Sequence, residues 1–363
     1  MDYAWKEGKK MMRMKRVSIG LCMLFCVVVF MCGCRETATE PTQKLESTNE
    51  QTESKQAEIQ SGENEVQIPV QIHGEDATLE GCLWMPEQIK EKPKLVILVH
   101  GSGQSDMNET IGDAGNTPFR DIAEGLAKKG IATLRYNKRY FQYADKADDY
   151  VTIQDEVLDD VTYAIQFVEA LDCCSDIYIA GHSMGGMLAP VIAKENEEVK
   201  GIILLAGTPR TLQDIIYDQN VEALDQNRSL SGAQRENQLK LVKYAVDQIN
   251  KLTGQETEKY LGVPACYWYS LNQLHHDQVA KELNIPMLIM QGSADFQVYP
   301  DKDFKQWKSL LEDRKNVSFR LYEGLNHLFM KTNGKRDVSE YNVKGNVASE
   351  VIQDMADWVL EKE

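Results

Sequence analysis

Residues 177–190 read Ile-Tyr-Ile-Ala-Gly-His-Ser-Met-Gly-Gly-Met-Leu-Ala-Pro. The apolar, β-favouring run Ile177–Ala180 suits a short strand buried on both faces, and a helical pattern follows from Gly186. Between them lies Gly181-His182-Ser183-Met184-Gly185, a G-x-S-x-G. A serine held on so abrupt a strand-to-helix turn needs small neighbours, because the turn is strained and the backbones nearly touch.

Outward from this unit the chain repeats the same rhythm. Continuous apolar runs recur at Leu95–Val99, Ile131–Leu134, Ile202–Ala206 and Met287–Met290. Helical patterns separate them, for example Ile153, Val157, Val161, Ala164, Ile165 and Val168 on one face. Such alternation predicts an α/β fold with a doubly wound, mostly parallel sheet. Residues 66–85 alternate in character around a turn at His73-Gly74-Glu75-Asp76, which predicts an antiparallel hairpin at the sheet edge. From about 209 to 283 the chain is helical and polar, with Leu241–Ile249 its clearest amphipathic piece. This stretch reads as a helical cap over the strand ends. Its Tyr267-Trp268-Tyr269 cluster either binds the cap to the body or touches substrate.

A serine hydroxyl becomes a nucleophile when a base removes its proton, and the base needs a carboxylate to orient it. Of the six histidines, His327 alone lies in a loop beyond the last strand pattern, Val317–Tyr322. The acid expected to orient it is Asp295, the first after the strand Pro286–Met290 and the turn 291–294; Asp301, Asp303 and Glu323 are less well placed. Charge on a tetrahedral intermediate requires two backbone N–H donors. Met184, which follows the nucleophile, supplies one, and Ser102 in His100-Gly101-Ser102-Gly103 is the choice for the second, with Gly103 close behind. The order Ser183, Asp295, His327 is similar to that of α/β-hydrolases.

Further segments strengthen that likeness: Leu-Val-His-Gly-Ser-Gly (98–103), Asn-Glu-Thr-Ile-Gly (108–112), Pro-Phe-Arg-Asp (118–121), Arg-Tyr-Asn-Lys-Arg (135–139) and Gly-Leu-Asn-His-Leu-Phe (324–329). Over about residues 65–363 the chain resembles bacterial α/β-hydrolases described as dienelactone-hydrolase-like or serine-aminopeptidase-like esterases. Asn137 stands where the family commonly has Asp, and Ala294 where a larger polar residue is common. The resemblance implies hydrolysis of a small-molecule carboxylic ester through an acyl-enzyme, without a cofactor. A peptidase or thioesterase would use the same triad; a binding protein would not need every part of it. Ser183 argues against dienelactone hydrolase activity itself, which uses cysteine. Arg135 and Arg139 are expected to form structural salt bridges, with Asp106 or Glu109 as candidate partners, rather than to bind a substrate carboxylate.

The start of the chain has another purpose. Six basic residues between Lys6 and Arg16 precede the apolar run Val17–Met31 and then Cys32-Gly33-Cys34. This is the layout of an export signal ending in a bacterial lipobox, with Cys34 the lipidated residue, although a short uncleaved anchor would share it. Residues 1–33 are thus read as a lipoprotein signal peptide, 34–63 as a disordered polar tether, and 64–363 as the folded domain, lipid-anchored at the cell envelope. The chain carries a net charge of −16, and the basic start means that the rest is more acidic still. Such a surface repels phosphate backbones, so nucleic acid is not expected as a partner. Cys82, Cys173, Cys174 and Cys266 are too scattered for a disulfide framework and read as buried thiols. No C-x-x-C or H-E-x-x-H suggests a metal.

Overall fold

A computed structural model describes residues 60–62, 65–87 and 89–361. The expected signal peptide and Cys34 lie outside these residues, as does most of the tether.

Among the described residues eleven strands and ten helices make up the framework. The strands are β1 (Gln60–Gly62), β2 (Glu65–His73), β3 (Thr78–Pro86), β4 (Leu95–Val99), β5 (Ala132–Tyr136), β6 (Ile177–His182), β7 (Val199–Leu205), β8 (Lys259–Tyr260), β9 (Val263–Pro264), β10 (Met287–Gly292) and β11 (Val317–Tyr322). The helices are α1 (Pro118–Ala127), α2 (Arg139–Gln142), α3 (Asp159–Leu171), α4 (Met184–Glu195), α5 (Leu212–Gln226), α6 (Gly232–Ile249), α7 (Ala265–Asn272), α8 (His276–Glu282), α9 (Lys305–Leu311) and α10 (Ser349–Val359).

Nine of the strands form one sheet in the order β1-β2-β3-β5-β4-β6-β7-β10-β11. It is parallel from β5 to β11, and the first three strands run antiparallel at one edge. This is the α/β-hydrolase architecture, hairpin included. The central strands are apolar throughout because both faces are covered. Leu95, Ile97 and Val99 of β4 enter one core with α3, α4 and α9, while Val96 and Leu98 enter the other with α1 and α10. Truncating such a fully buried side chain, as in Ile97→Ala, should cost about 2–5 kcal/mol through lost burial and the cavity left behind.

The chain leaves β4 for β5 on one side and returns to β6 on the other. The carboxyl ends of β4 and β6 therefore form a topological switch point, the crevice where open α/β sheets bind ligands. His100 follows one strand end and Ser183 the other.

Several local expectations are corrected. Gln60–Gly62, inside the stretch read as tether, pairs antiparallel with β2; backbone pairing needs no apolar side chain, so composition gave no sign of it. The helix expected from Ile153 opens with a wider turn over Gln154–Leu158 before α3 begins. In α6 only Val246 and Ile249 are buried, and Leu241 is 70% exposed, so much of that apolar periodicity faces outwards. All four described cysteines are free, but Cys82 alone is fully buried.

Between β7 and β10 the chain forms α5, α6, the ribbon β8–β9, α7 and α8. Trp268 is fully buried and its indole N–H donates to the Tyr260 carbonyl at 2.9 Å. Tyr267 is buried too, with its hydroxyl 3.5 Å from Met184 Sδ. These two rings tie the cap to itself and to the body.

Candidate active site

Ser183 sits between β6 and α4 at φ 53° and ψ −114°. A non-glycine residue in that region is strained, and strain of this kind persists where the surroundings over-determine it. The surroundings here are backbone. A Cβ on Gly181 would lie 2.1 Å from the Gly185 carbonyl oxygen, and one on Gly185 would lie 2.2 Å from that of Val99. The Ser183 N–H donates to the Leu205 carbonyl at 2.8 Å, so β7 fixes the turn from the other side. The two glycines of the motif are thus steric requirements of a turn that projects Ser183 beyond the sheet.

His327 and Asp295 come from the loops after β11 and β10, which are neighbours in the sheet. His327 Nδ1 lies 2.7 Å from Asp295 Oδ2. A carboxylate only accepts, so Nδ1 carries the proton and Nε2 is left with a lone pair, the tautomer of a general base. Asp295 is itself held by donors: the backbone N–H groups of Gln297 and Val298 reach Oδ1 at 2.8 and 3.0 Å, and Gln291 Nε2 reaches Oδ2 at 2.7 Å. Asp303 has a different task, accepting from Thr208 Oγ1 at 2.6 Å and pairing with Arg210 at 2.8 Å. Asp301 and Glu323 are exposed.

Ser102, Ser183 and Met184 line one void of about 20 Å³, bounded on the cap side by Leu212, Ile215, Ile216 and Gln219 of α5. The serine and the two residues expected to supply oxyanion donors therefore border a common space. It has room for about one water molecule.

Sequence reasoning missed a second buried network beneath these groups. Glu109, itself at φ 53°, places Oε2 2.9 Å from His182 Nδ1 and accepts the Gly101 N–H on Oε1 at 2.8 Å. His182 Nε2 donates to the His327 carbonyl at 3.0 Å. Burial pushes the His182 imidazole down, but the Glu109 carboxylate, the His327 carbonyl and the Asp295 charge more than offset it, and the net shift is upward. Burial likewise opposes ionisation of Glu109, yet His182, His100 and the Gly101 N–H hold its carboxyl below the usual range. Both shifts favour the charged forms, and the contacts of the pair tie the Gly101 segment to the loop of His327. By contrast, burial pushes His100 down to about 4, which leaves it neutral.

Neither expected partner of the arginines is correct. Arg139 pairs with Asp160 and Asp76, each at 2.6 Å. Arg135 donates to Asn108 and lies 5.2 Å from the centre of the Trp84 ring. Glu109 is engaged by His182 and Gly101 instead, and Asp106 accepts the N–H groups of Asn108 and Thr110. Among the described residues no group of three or more His, Cys, Asp or Glu is placed to hold a metal.

Residues 90–333 match the family model described as serine aminopeptidase, S33. The chain belongs to this family. It is 38% identical over 269 residues to esterase EstD of Thermotoga maritima, covering 73% of this chain and 61% of that one. It thus spans about three fifths of that relative's length. Among solved structures, Est1E of Butyrivibrio proteoclasticus with ferulic acid bound is 20% identical, with 81% of this chain and 98% of that one covered and a TM-score of 0.51. An esterase of Pyrococcus furiosus is 16% identical, with coverage of 81% and 90% and a TM-score of 0.51. At these identities the two structures speak for a shared fold alone.

Proposed function

We propose that the protein is a serine hydrolase that cleaves small-molecule carboxylic esters through an acyl-enzyme, with Ser183 as nucleophile, His327 as base and Asp295 as its orienter. The observation that carries this reading is Ser183, held at positive φ on the switch point of the sheet and facing the same void as Ser102 and Met184. His327 Nε2 takes the Ser183 proton as Oγ attacks the ester carbonyl. The N–H groups of Ser102 and Met184 receive the oxyanion. His327 then returns the proton to the departing alcohol, and water repeats the sequence on the acyl-enzyme. The 38% identity to an esterase over 269 residues favours esters over amides and thioesters. A panel of p-nitrophenyl esters, acetylated and feruloylated sugars, acyl thioesters and aminoacyl amides tests it, with esters expected to be cleaved fastest. Faster turnover of aminoacyl amides would replace this reading by a peptidase.

The same proposal includes location. The basic and apolar start ending in Gly33-Cys34 supports diacylation at Cys34 and attachment to a membrane of the cell envelope, two acyl chains being what makes such anchoring stable. Mass spectrometry of the processed N-terminus tests this independently of the chemistry. An unmodified Cys34 contradicts the anchor.

A further inference from the structure

Lys138 and Glu156 form a buried ion pair at 2.7 Å, with side chains 4% and 5% exposed. Taking two charges out of water costs several kcal/mol per ion, which an apolar pair of similar volume would avoid. The use of this pair lies in its other contacts. Lys138 Nζ also donates to the Gly101 carbonyl at 3.0 Å. That carbonyl shares a peptide plane with the Ser102 N–H. In a planar trans peptide the two point in opposite directions, so a group that anchors one aims the other. Glu109 holds the preceding plane by accepting the Gly101 N–H at 2.8 Å, which also removes that donor from competition. The backbone of the same segment assists, since the Lys138 N–H donates to the Ser105 carbonyl at 3.1 Å and Asn137 Oδ1 accepts the Met107 N–H at 2.8 Å.

We propose that the Lys138–Glu156 pair is a positioning device for the oxyanion site: Lys138 grips the Gly101 carbonyl and thereby directs the Ser102 N–H at the oxygen of the tetrahedral intermediate. Lys138 acts through the peptide and touches no reacting atom. Glu156 confines the ammonium so that a second of its three N–H donors stays on the loop. This rests on the hydrolase reading and adds to it the residue that orders one of its two donors.

The test uses Lys138→Met and the double variant Lys138→Met/Glu156→Gln, which removes both charges and so avoids a lone buried carboxylate. Each is assayed per active site titrated with a fluorophosphonate. A trifluoromethyl ketone, whose hemiketal oxyanion occupies the same donors, reports on the oxyanion site separately from substrate binding. Loss of one oxyanion donor costs about 10²–10³ in kcat, and misdirection of one should cost about 10–100-fold. In both variants kcat should fall by that factor, the ketone's inhibition constant should rise in proportion, and KM should stay within about threefold. Lys138→Arg, which keeps the donor and the charge, should recover part of both. The inference is overturned if kcat per titrated site and ketone affinity match the wild type, or if kcat falls without loss of ketone affinity. A wild-type chain that neither reacts with the fluorophosphonate nor cleaves esters overturns the hydrolase reading, and this inference with it.

Discussion

Asp295→Asn should disable the protein while leaving its fold in place, and the contacts of Asp295 set the size of the effect. All four groups that meet its oxygens are donors: two backbone N–H groups on Oδ1, and Gln291 Nε2 and His327 Nδ1 on Oδ2. An asparagine has one oxygen and one NH2, so two donors must lose their acceptor. The backbone pair cannot turn round. The amide oxygen therefore stays with Gln297 and Val298, and the new NH2 faces Gln291 and His327. Gln291 can rotate its amide to present oxygen. His327 can accept only by moving its proton to Nε2, the nitrogen that takes the Ser183 proton in the proposed mechanism. Restoring the productive tautomer means facing two buried donors against each other and giving up a charge-assisted bond. At about 1.5–3 kcal/mol for the bond and about 1–3 kcal/mol for the unsatisfied donor, the sum centres on about 4 kcal/mol. That corresponds to a loss of roughly 10³ in kcat. Steady-state hydrolysis of a p-nitrophenyl ester, normalised to folded protein by circular dichroism, measures it. A variant within tenfold of wild type would refute the argument, and an Asp303 variant that was equally inactive while folded would show that the orienting acid had been misassigned.

Two further outcomes follow from the surroundings of Ser183. The raised pKa of His182 gives stability that is complete below its unfolded value of about 6.5 and is lost as pH rises through the folded value; the lowered pKa of Glu109 gives stability present above about 4.3 and lost as pH falls through its folded value. The difference in unfolding temperature between wild type and His182→Gln should therefore be largest from about pH 4.3 to 6.5 and shrink at alkaline pH; a gap that stays constant into the alkaline range would contradict the ion pair. Ile216 is buried and lines the void beside Ser183; if the acyl group enters that void, Ile216→Ala should raise kcat/KM for butyrate relative to acetate esters by about fourfold for each methylene admitted, at about 0.8 kcal/mol apiece. An unchanged ratio would mean that the acyl group leaves the void by another route.

The sheet was legible because its strands are buried on both faces. A run such as Leu95–Val99 has few other uses, and G-x-S-x-G marks a turn whose glycines are sterically forced. His327 and Asp295 could be chosen by position relative to strand ends, since topology carries them to adjacent loops. What could not be read was pairing between distant segments. Glu109 meets His182, and Lys138 meets both Gly101 and Glu156; no local pattern around these residues names the partner. The arginines show the same limit: a structural role for Arg139 followed from its type, but Asp160 and Asp76 are separated from it by 21 and 63 positions. The short strand Gln60–Gly62 escaped because it is made of backbone bonds, which composition does not reveal.

The central claim is that Ser183 is an activated nucleophile. Treatment of the protein with a fluorophosphonate, followed by peptide mass spectrometry, tests it most directly. One adduct per chain is expected on Ser183, and both labelling and ester hydrolysis should vanish in Ser183→Ala. Labelling that persists in that variant, or an adduct found on another residue, would contradict the account.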